Sequence, residues 1–282
     1  MWHVVRLARG PRTVLVASGK GGVGTSMIAT LMALSAAHSG QRVLLVDATE
    51  SGGSLHHLFG ARPSRSLWML ARSDAELRDT LIAIDESLTL IAGGTAAGAT
   101  PPRSDDERRS ALANASQVFG AFDLTVVDGG SRLDTVTAIV DTLDPHILLA
   151  TSADRLALAA NYALVKSLRA RRDDLEISVV TNRNGAAVAE EACEFLIGAC
   201  SHFLGRAIEI AGVVPDDPCL QAAIGAGMSV RDALDGSPAA DAARDLLKTI
   251  VPSWPNAVPS SAATMSSPSF PSVSLPSSRR WS

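Results

Sequence analysis

Cysteine is scarce. The three cysteines, Cys193, Cys200 and Cys219, are odd in number and form no Cys-x-x-Cys pair. That excludes a disulfide framework and a zinc or cluster signature, and a reducing cytosol is the simpler setting. The six histidines are scattered without metal-ligand spacing. No run approaches the ~18 consecutive apolar residues of a membrane-spanning helix. The opening "MWHVVRLARGPRTVLVASGKGG" lacks the apolar stretch of a signal peptide, because its one apolar strand runs straight into glycines. No short-period repeat is present, and no excess of positive charge. A formal net charge of −4 argues against a general nucleic-acid binder.

What is present describes a globular α/β chain. Hydrophobic residues make up 46% and charged residues 19% of 282, ample for a real core. Short β-branched runs alternate with longer Ala/Leu-rich stretches. The expected strands are "TVLVA" (13–17), "RVLLVD" (42–47), "LTLIAG" (88–93), "DLTVVD" (123–128), "HILLAT" (146–151), "ISVVTN" (177–182) and "IEIAGVV" (208–214). Most are continuously apolar, as parallel strands covered on both faces must be. Helical stretches are expected at 26–38, 105–119, 153–171 and 187–204. The alternation predicts a single doubly wound, mainly parallel sheet with helices on both faces. After Val251 the text becomes rich in Ser and Pro, so the expected division is a folded domain over 1–250 and a disordered tail over 251–282. Arg279, Arg280 and Trp281 would make only a feeble contact with an anionic surface.

The segment "SGKGGVGTS" (18–26) sets Gly19 and Gly24 around four residues, followed by Thr25 and Ser26. The phosphate-binding pattern is G-x-x-x-x-G-K-[ST], so threonine stands where lysine is usual. Glycines at 19, 21, 22 and 24 would let backbone N–H groups turn around phosphate oxygens, and the following helix adds its positive end. Ser26 is placed to offer its hydroxyl to magnesium. Losing the lysine removes a charge-assisted contact worth about 1.5–3 kcal/mol, or roughly ten- to a hundredfold in affinity. Binding can survive that.

"KGGVG" opening on Lys20 directly after an N-terminal strand resembles the deviant Walker A loop of the MinD/ParA ATPases, which are P-loop NTPases of the SIMIBI class. The resemblance implies a homodimer that sandwiches ATP and Mg2+, with Lys20 reaching phosphates held by the other copy. It implies nucleotide contacts from Gly19, Lys20, Gly21, Gly22, Val23, Gly24, Thr25 and Ser26. It also implies a magnesium site at Ser26 and Asp128, the latter in "VVDGG" as a Walker B aspartate. "VLLVDATESGGSLHHLFG" resembles the first switch, with Asp47 in the first of two aspartate positions and Thr49 in the second. Glu50 is no automatic substitute, since neighbouring side chains point differently. His56 and His57 are expected to be surface or partner contacts. Asn182, and Pro215 in "VVPDDP", match the residues that flank adenine.

Thr25 and Thr49 thus replace two residues that assist γ-phosphate transfer, and phosphoryl transfer rests almost wholly on positioning and charge. An ATPase by resemblance, the chain is expected to hydrolyse ATP weakly or not at all. "SADRLALAANYALVKSLRAR" and "SHFLGRAIEIAGVVPDDPCLQAAIGAGMSV" resemble the FlhG/FleN flagellar-number regulators within this family. Threonine after "GGVG" is similar instead to MinD-like proteins of pilus assembly and cellulose synthesis. The resemblance therefore implies a cytoplasmic switch for a flagellar or pilus machine, working through a protein partner. Peripheral contact with the inner face of the cell membrane is an alternative, although no amphipathic helix is visible after Val251. Two other classes compete. One is a non-catalytic adaptor; the other is DNA partitioning, for which Arg169, Arg171 and Arg172 form the one notable basic cluster. Cluster-carrying relatives are excluded by the cysteines. Cys193 and Cys200, seven apart on an expected helix, should share a buried face.

Overall fold

The computed structural model describes residues 13–251, apart from 51–52, 54, 73–75, 96–100 and 184. The amino terminus and the Ser/Pro-rich tail lie outside the described residues. The strands are β1 (Thr13–Ala17), β2 (Val43–Asp47), β3 (Leu81–Ala83), β4 (Leu88–Ile91), β5 (Leu124–Gly130), β6 (His146–Thr151), β7 (Ile177–Asn182) and β8 (Glu209–Val214). The helices are α1 (Thr25–His38), α2 (Leu55–Leu58), α3 (Asp105–Ser116), α4 (Leu133–Leu143), α5 (Arg155–Arg169), α6 (Ala186–Leu204), α7 (Pro218–Gly225) and α8 (Pro238–Ile250), joined in places by short 3₁₀ turns.

One eight-stranded sheet runs in the order β3-β4-β2-β5-β1-β6-β7-β8. Every pairing is parallel except that of β3 with β4. The expected strands agree within three residues at each end. The short antiparallel β3 was not expected. Its Leu-Ile-Ala is apolar but too short to mark a strand, with two residues partly buried and Ala83 exposed, so pairing with β4 rather than local pattern makes it a strand.

The sheet is covered on both faces. α1, α7 and α8 bury one side around Val14, Leu31, Leu45, Val126 and Leu246. α3, α4, α5 and α6 bury the other around Leu15, Val127, Ile139, Leu149 and Leu196. Covered on both sides, β2 and β7 are buried at every position, and β2 runs Val-Leu-Leu-Val without a polar break. α1 is sandwiched between the sheet and α8, and its residues 28–37 are all buried. Cys193 and Cys200 sit in the second core as expected, at 1% and 0% exposure. Helix starts are capped by side chains where the sequence supplies them. Ser104, Asp154, Asp217 and Ser237 accept from the backbone amides of Glu107, Ala157, Leu220 and Ala240.

β1 lies between β5 and β6, and the chain leaves it in one direction for α1 and β2 and in the other for β6 and beyond. A crevice at such a switch point, beyond the carboxyl ends of the strands, is where open α/β sheets bind ligands. The glycine segment occupies it. Because Leu31 of α1, the helix that follows this segment, is fully buried in the first core, Leu31→Ala should lower the free energy of unfolding by about 2–5 kcal/mol. Urea denaturation checks this; a loss below about 0.5 kcal/mol would contradict the packing described.

Candidate functional site

The glycine segment is fastened before it turns. Ser18 N donates to Gly130 O at 2.9 Å, tying its first residue to β5. A Cβ on Gly19 would lie 2.2 Å from the backbone of Ala160, so only glycine lets α5 come this close. The Gly19 amide donates to Asn161 Oδ1 at 2.6 Å, and Asn161 Nδ2 donates to Ala150 O at 3.0 Å. Fully buried Asn161 therefore locks the loop entry onto α5 and β6, and the Gly19 amide is spent on that lock. Gly22 and Gly24 take left-handed conformations, φ 83° and 96°. From there Gly24 O accepts from Ile28 N at 3.0 Å and α1 begins. Unlike α3, α5, α7 and α8, α1 has no side-chain cap on its first amides. They are left for an external acceptor, and a helix amino terminus attracts anions.

Asp47 and Asp128 are register partners across β2 and β5, and both are 0% exposed. β5 continues two residues beyond Asp128, so this carboxylate lies inside the strand rather than at its end. Asp47 is enclosed. Oδ1 accepts from Thr49 N at 3.0 Å and Thr49 Oγ1 at 2.6 Å, and Oδ2 accepts from Leu55 N at 3.2 Å. Burial still holds its carboxyl above the ordinary range. Asp128 Oδ1 accepts from Gly130 N at 3.1 Å, but its buried Oδ2 has no hydrogen-bond partner. Burial first, and the Asp47 charge second, push Asp128 up to about 7. The Ser26 and Thr25 hydroxyls oppose this from close by without closing a bond on Oδ2. An unpaired carboxylate oxygen, buried beside a serine hydroxyl, fits a hard divalent cation such as magnesium.

Lys20 Nζ lies 3.1 Å from both carboxylate oxygens of Asp154, the cap of α5. Asp154 is held at about 2 by the Ser152 hydroxyl, the Ala157 amide and Lys20. The lysine is thus engaged within its own chain. Asn182 closes β7 and donates Nδ2 to Val23 O at 2.8 Å, packing on Gly24 where a Cβ would sit 2.2 Å from that nitrogen. Pro215 follows β8 directly and is half-buried on the strand next to β7. Thr25 and Ser26 open α1, both half-buried. Gly21 and Gly22 are exposed, and Val23 is buried. The structure brings residues 19–26, Asp47, Asp128 and Asn182 to one end of the sheet.

Three details differ from the sequence reading or escaped it. His56 is buried at 4% exposure, with Nδ1 unpartnered, because α2 turns it inward; its neighbour His57 is exposed. Arg169, Arg171 and Arg172 do not present an open basic patch. Arg171 pairs with Asp141, Arg172 with Asp144 and Asp174, and Arg169 donates to Asp173 O. Asn161 carries no sequence signal, since a mid-helix asparagine reads as neutral until the loop is seen against it.

Residues 11–75 match the ParA family model, described as a NUBPL iron-transfer P-loop NTPase. None of the three cysteines lies in that segment. The antiactivator FleN of Pseudomonas aeruginosa is 25% identical over 246 residues, covering 86% of this chain and 87% of FleN. The flagellum site-determining protein YlxH of Helicobacter pylori is 26% identical over 162 residues, covering 57% of this chain and 55% of YlxH. The septum site-determining protein MinD of Pyrococcus horikoshii, solved with Mg-ADP, superposes with a TM-score of 0.65 at 19% identity, over 84% of this chain and 94% of MinD. The sheet order and this superposition show a MinD/ParA-like fold, and the glycine loop lies within the segment that the ParA P-loop NTPase model matches. The likeness to FleN extends over most of both chains.

The raised Asp128 acid makes a pH prediction. Its folded value of about 7 exceeds the ordinary 3.8. The folded chain therefore holds this proton more tightly than the unfolded chain, and the resulting stability is full at low pH and is lost as pH rises toward 7. Asp128→Asn, which stays neutral, should raise the thermal midpoint at pH 8 without magnesium or nucleotide, and change it little near pH 4. A lower midpoint at pH 8 would contradict the placement of this charge.

Proposed function

We propose that this chain is an ATP- and magnesium-dependent dimerising switch that turns ATP over slowly or not at all. We further propose that it sets the number or placement of a flagellum-type machine through a protein partner. The observation that carries the nucleotide reading is the uncapped start of α1 behind a left-handed glycine turn, beside the unpaired Oδ2 of Asp128. The amides of 21–26 would hold phosphate oxygens. Ser26 and Asp128 would hold the metal, and Asn182 and Pro215 would flank the base. Bound magnesium supplies positive charge across the phosphates, which the missing loop lysine does not.

Slow turnover follows from two threonines. Thr25 brings no charge to the loop, and Thr49 closes over Asp47 with both its amide and its hydroxyl. Neither oxygen of Asp47 is left without a donor, so orienting a water there requires Thr49 to move. Lys20 must exchange Asp154 for a phosphate of the second copy, which makes dimerisation and lysine release one event. That exposed ion pair is a modest obstacle. The flagellar setting is supported by the likeness to YlxH and FleN. The paired state of Arg169, Arg171 and Arg172 gives no support to DNA partitioning. We also propose that residues 1–250 form the switch domain and that 251–282 lie outside it as a tail.

Sedimentation and phosphate release with Mg-ATP test it. The wild-type chain should dimerise with barely measurable release. Thr25→Lys with Thr49→Asp should raise release by about tenfold or more, restoring charge and a water-orienting carboxylate. Lys20→Ala should stay monomeric. Fast release by the wild type would end the slow-switch reading. Unchanged inactivity of the double variant would favour a non-catalytic adaptor.

A further inference from the structure

Glu50 stands three residues beyond Asp47 and anchors a buried ionic cluster that the nucleotide cradle does not use. Its carboxylate accepts from Arg108 Nε at 2.7 Å and Arg108 Nη2 at 3.0 Å. It also accepts from the Thr135 hydroxyl, and Arg132 Nε lies 3.5 Å away. Arg108 gives its remaining arm to Asp105 at 2.8 Å. The Glu50 and Arg108 side chains are only 5% and 8% exposed. Burial pushes the Glu50 carboxyl up, but its hydrogen bonds and the two arginines outweigh this and hold it below the ordinary range. This glutamate is a charged, fully engaged group rather than a free base.

Its partners come from three places. Arg108 belongs to the first turn of α3. Arg132 lies in the loop after β5, and Thr135 in the first turn of α4. The loop carrying Glu50 follows Asp47 at the end of β2, and the loop carrying Arg132 follows Gly130 at the end of β5. The loop after β2 also touches the end of β5 itself, where Ala48 N donates to Asp128 O at 2.9 Å and Thr49 packs on Gly130. A buried ion pair is a weak source of net stability, because desolvation offsets its attraction, while removing one partner leaves a costly bare charge. Such a cluster resists partial states. Either both loops move with it, or it opens as a unit.

We infer that Glu50 is a positioning residue that couples the loops after β2 and β5 and transmits nucleotide state to the outer face of α3 and α4. That face holds a cleft of about 370 Å³, bounded by Asp105, Arg109, Leu133, Asp134, Thr137 and Arg171. Two of these residues lie between Arg132 and Thr135 in the chain, and Asp105 is bonded to Arg108. Its shape is therefore tied to the cluster. This coupling rests on the nucleotide reading above and adds to it a site at a distance, as allostery requires.

Hydrogen exchange on the full chain, with and without saturating Mg-ATP, tests the coupling. Glu50→Ala would strand Arg108 and threaten the fold, so the variant is Glu50→Leu with Arg108→Met, which replaces the pair by apolar groups of similar size. In the wild type, Mg-ATP should change exchange over the first turns of α3 and α4 by about threefold or more. The double variant should bind Mg-ATP with a Kd within about threefold of wild type and lose that response. A merely structural role would shift exchange in both states and leave the Mg-ATP-dependent ratio intact, which would overturn the coupling. Wild-type binding without any change over α3 and α4 would overturn it too, and leave the nucleotide reading standing. No binding by the wild type would overturn both.

Discussion

The ligand end of this sheet is organised by how closely α5 approaches the turn after β1. Gly19 has no Cβ, and the space one would need is filled by the Ala160 backbone. Asn161 then bridges the Gly19 amide and the Ala150 carbonyl across that contact. The turn is thereby fixed to β6 and α5 before any ligand arrives. A cradle of backbone amides binds well only if its geometry is set in advance, because ordering it on binding would consume the affinity gained. The same approach places Asp154, at the start of α5, within reach of Lys20.

Around this fixed turn the charges divide into two kinds. Asp47 and Asp128 are buried side by side, no ion pair with either is formed among the described residues, and both carboxyls are held above their ordinary range. Glu50, three residues past Asp47, is less deeply buried and is held below its range by hydrogen bonds from Arg108 and Thr135 and by the charges of Arg108 and Arg132. The first pair is the one at which we propose that a metal and a polyphosphate bind. The second is a site already complete, with a mechanical rather than a chemical use. Asp47 and Glu50 are three residues apart, yet they meet different partners: Thr49 and Leu55 for Asp47, and Arg108, Arg132 and Thr135 for Glu50.

Much of this was legible in the sequence because it depends on backbone. Continuous apolar runs gave seven strands, and four glycines after the first of them marked the phosphate loop, since left-handed turns and close approach both demand glycine. The resemblance to the MinD/ParA ATPases rests on that loop and on Asp47, Asp128 and Asn182, which lie at or near the carboxyl ends of β2, β5 and β7. What stayed hidden depends on side chains meeting across the fold. Asn161 lies 142 residues from the amide it holds, and Arg108 lies 58 from Glu50, so no local pattern announces either. The inward turn of His56 and the pairing of Arg171 and Arg172 with aspartates were likewise invisible, because exposure belongs to packing rather than to composition. The strand β3 exists only by virtue of its neighbour β4.

The central claim is that a preset loop of amides, not a lysine in its usual place, grips the phosphates. Calorimetric titration of Mg-ATP into the wild-type chain and into Gly19→Ala, with circular dichroism to confirm that both are folded, tests it most directly. The account predicts saturable binding by the wild type and a loss of about tenfold or more in the variant, whose added methyl must push the turn away from α5. Equal affinity in the two, or no heat of binding in the wild type, would contradict it.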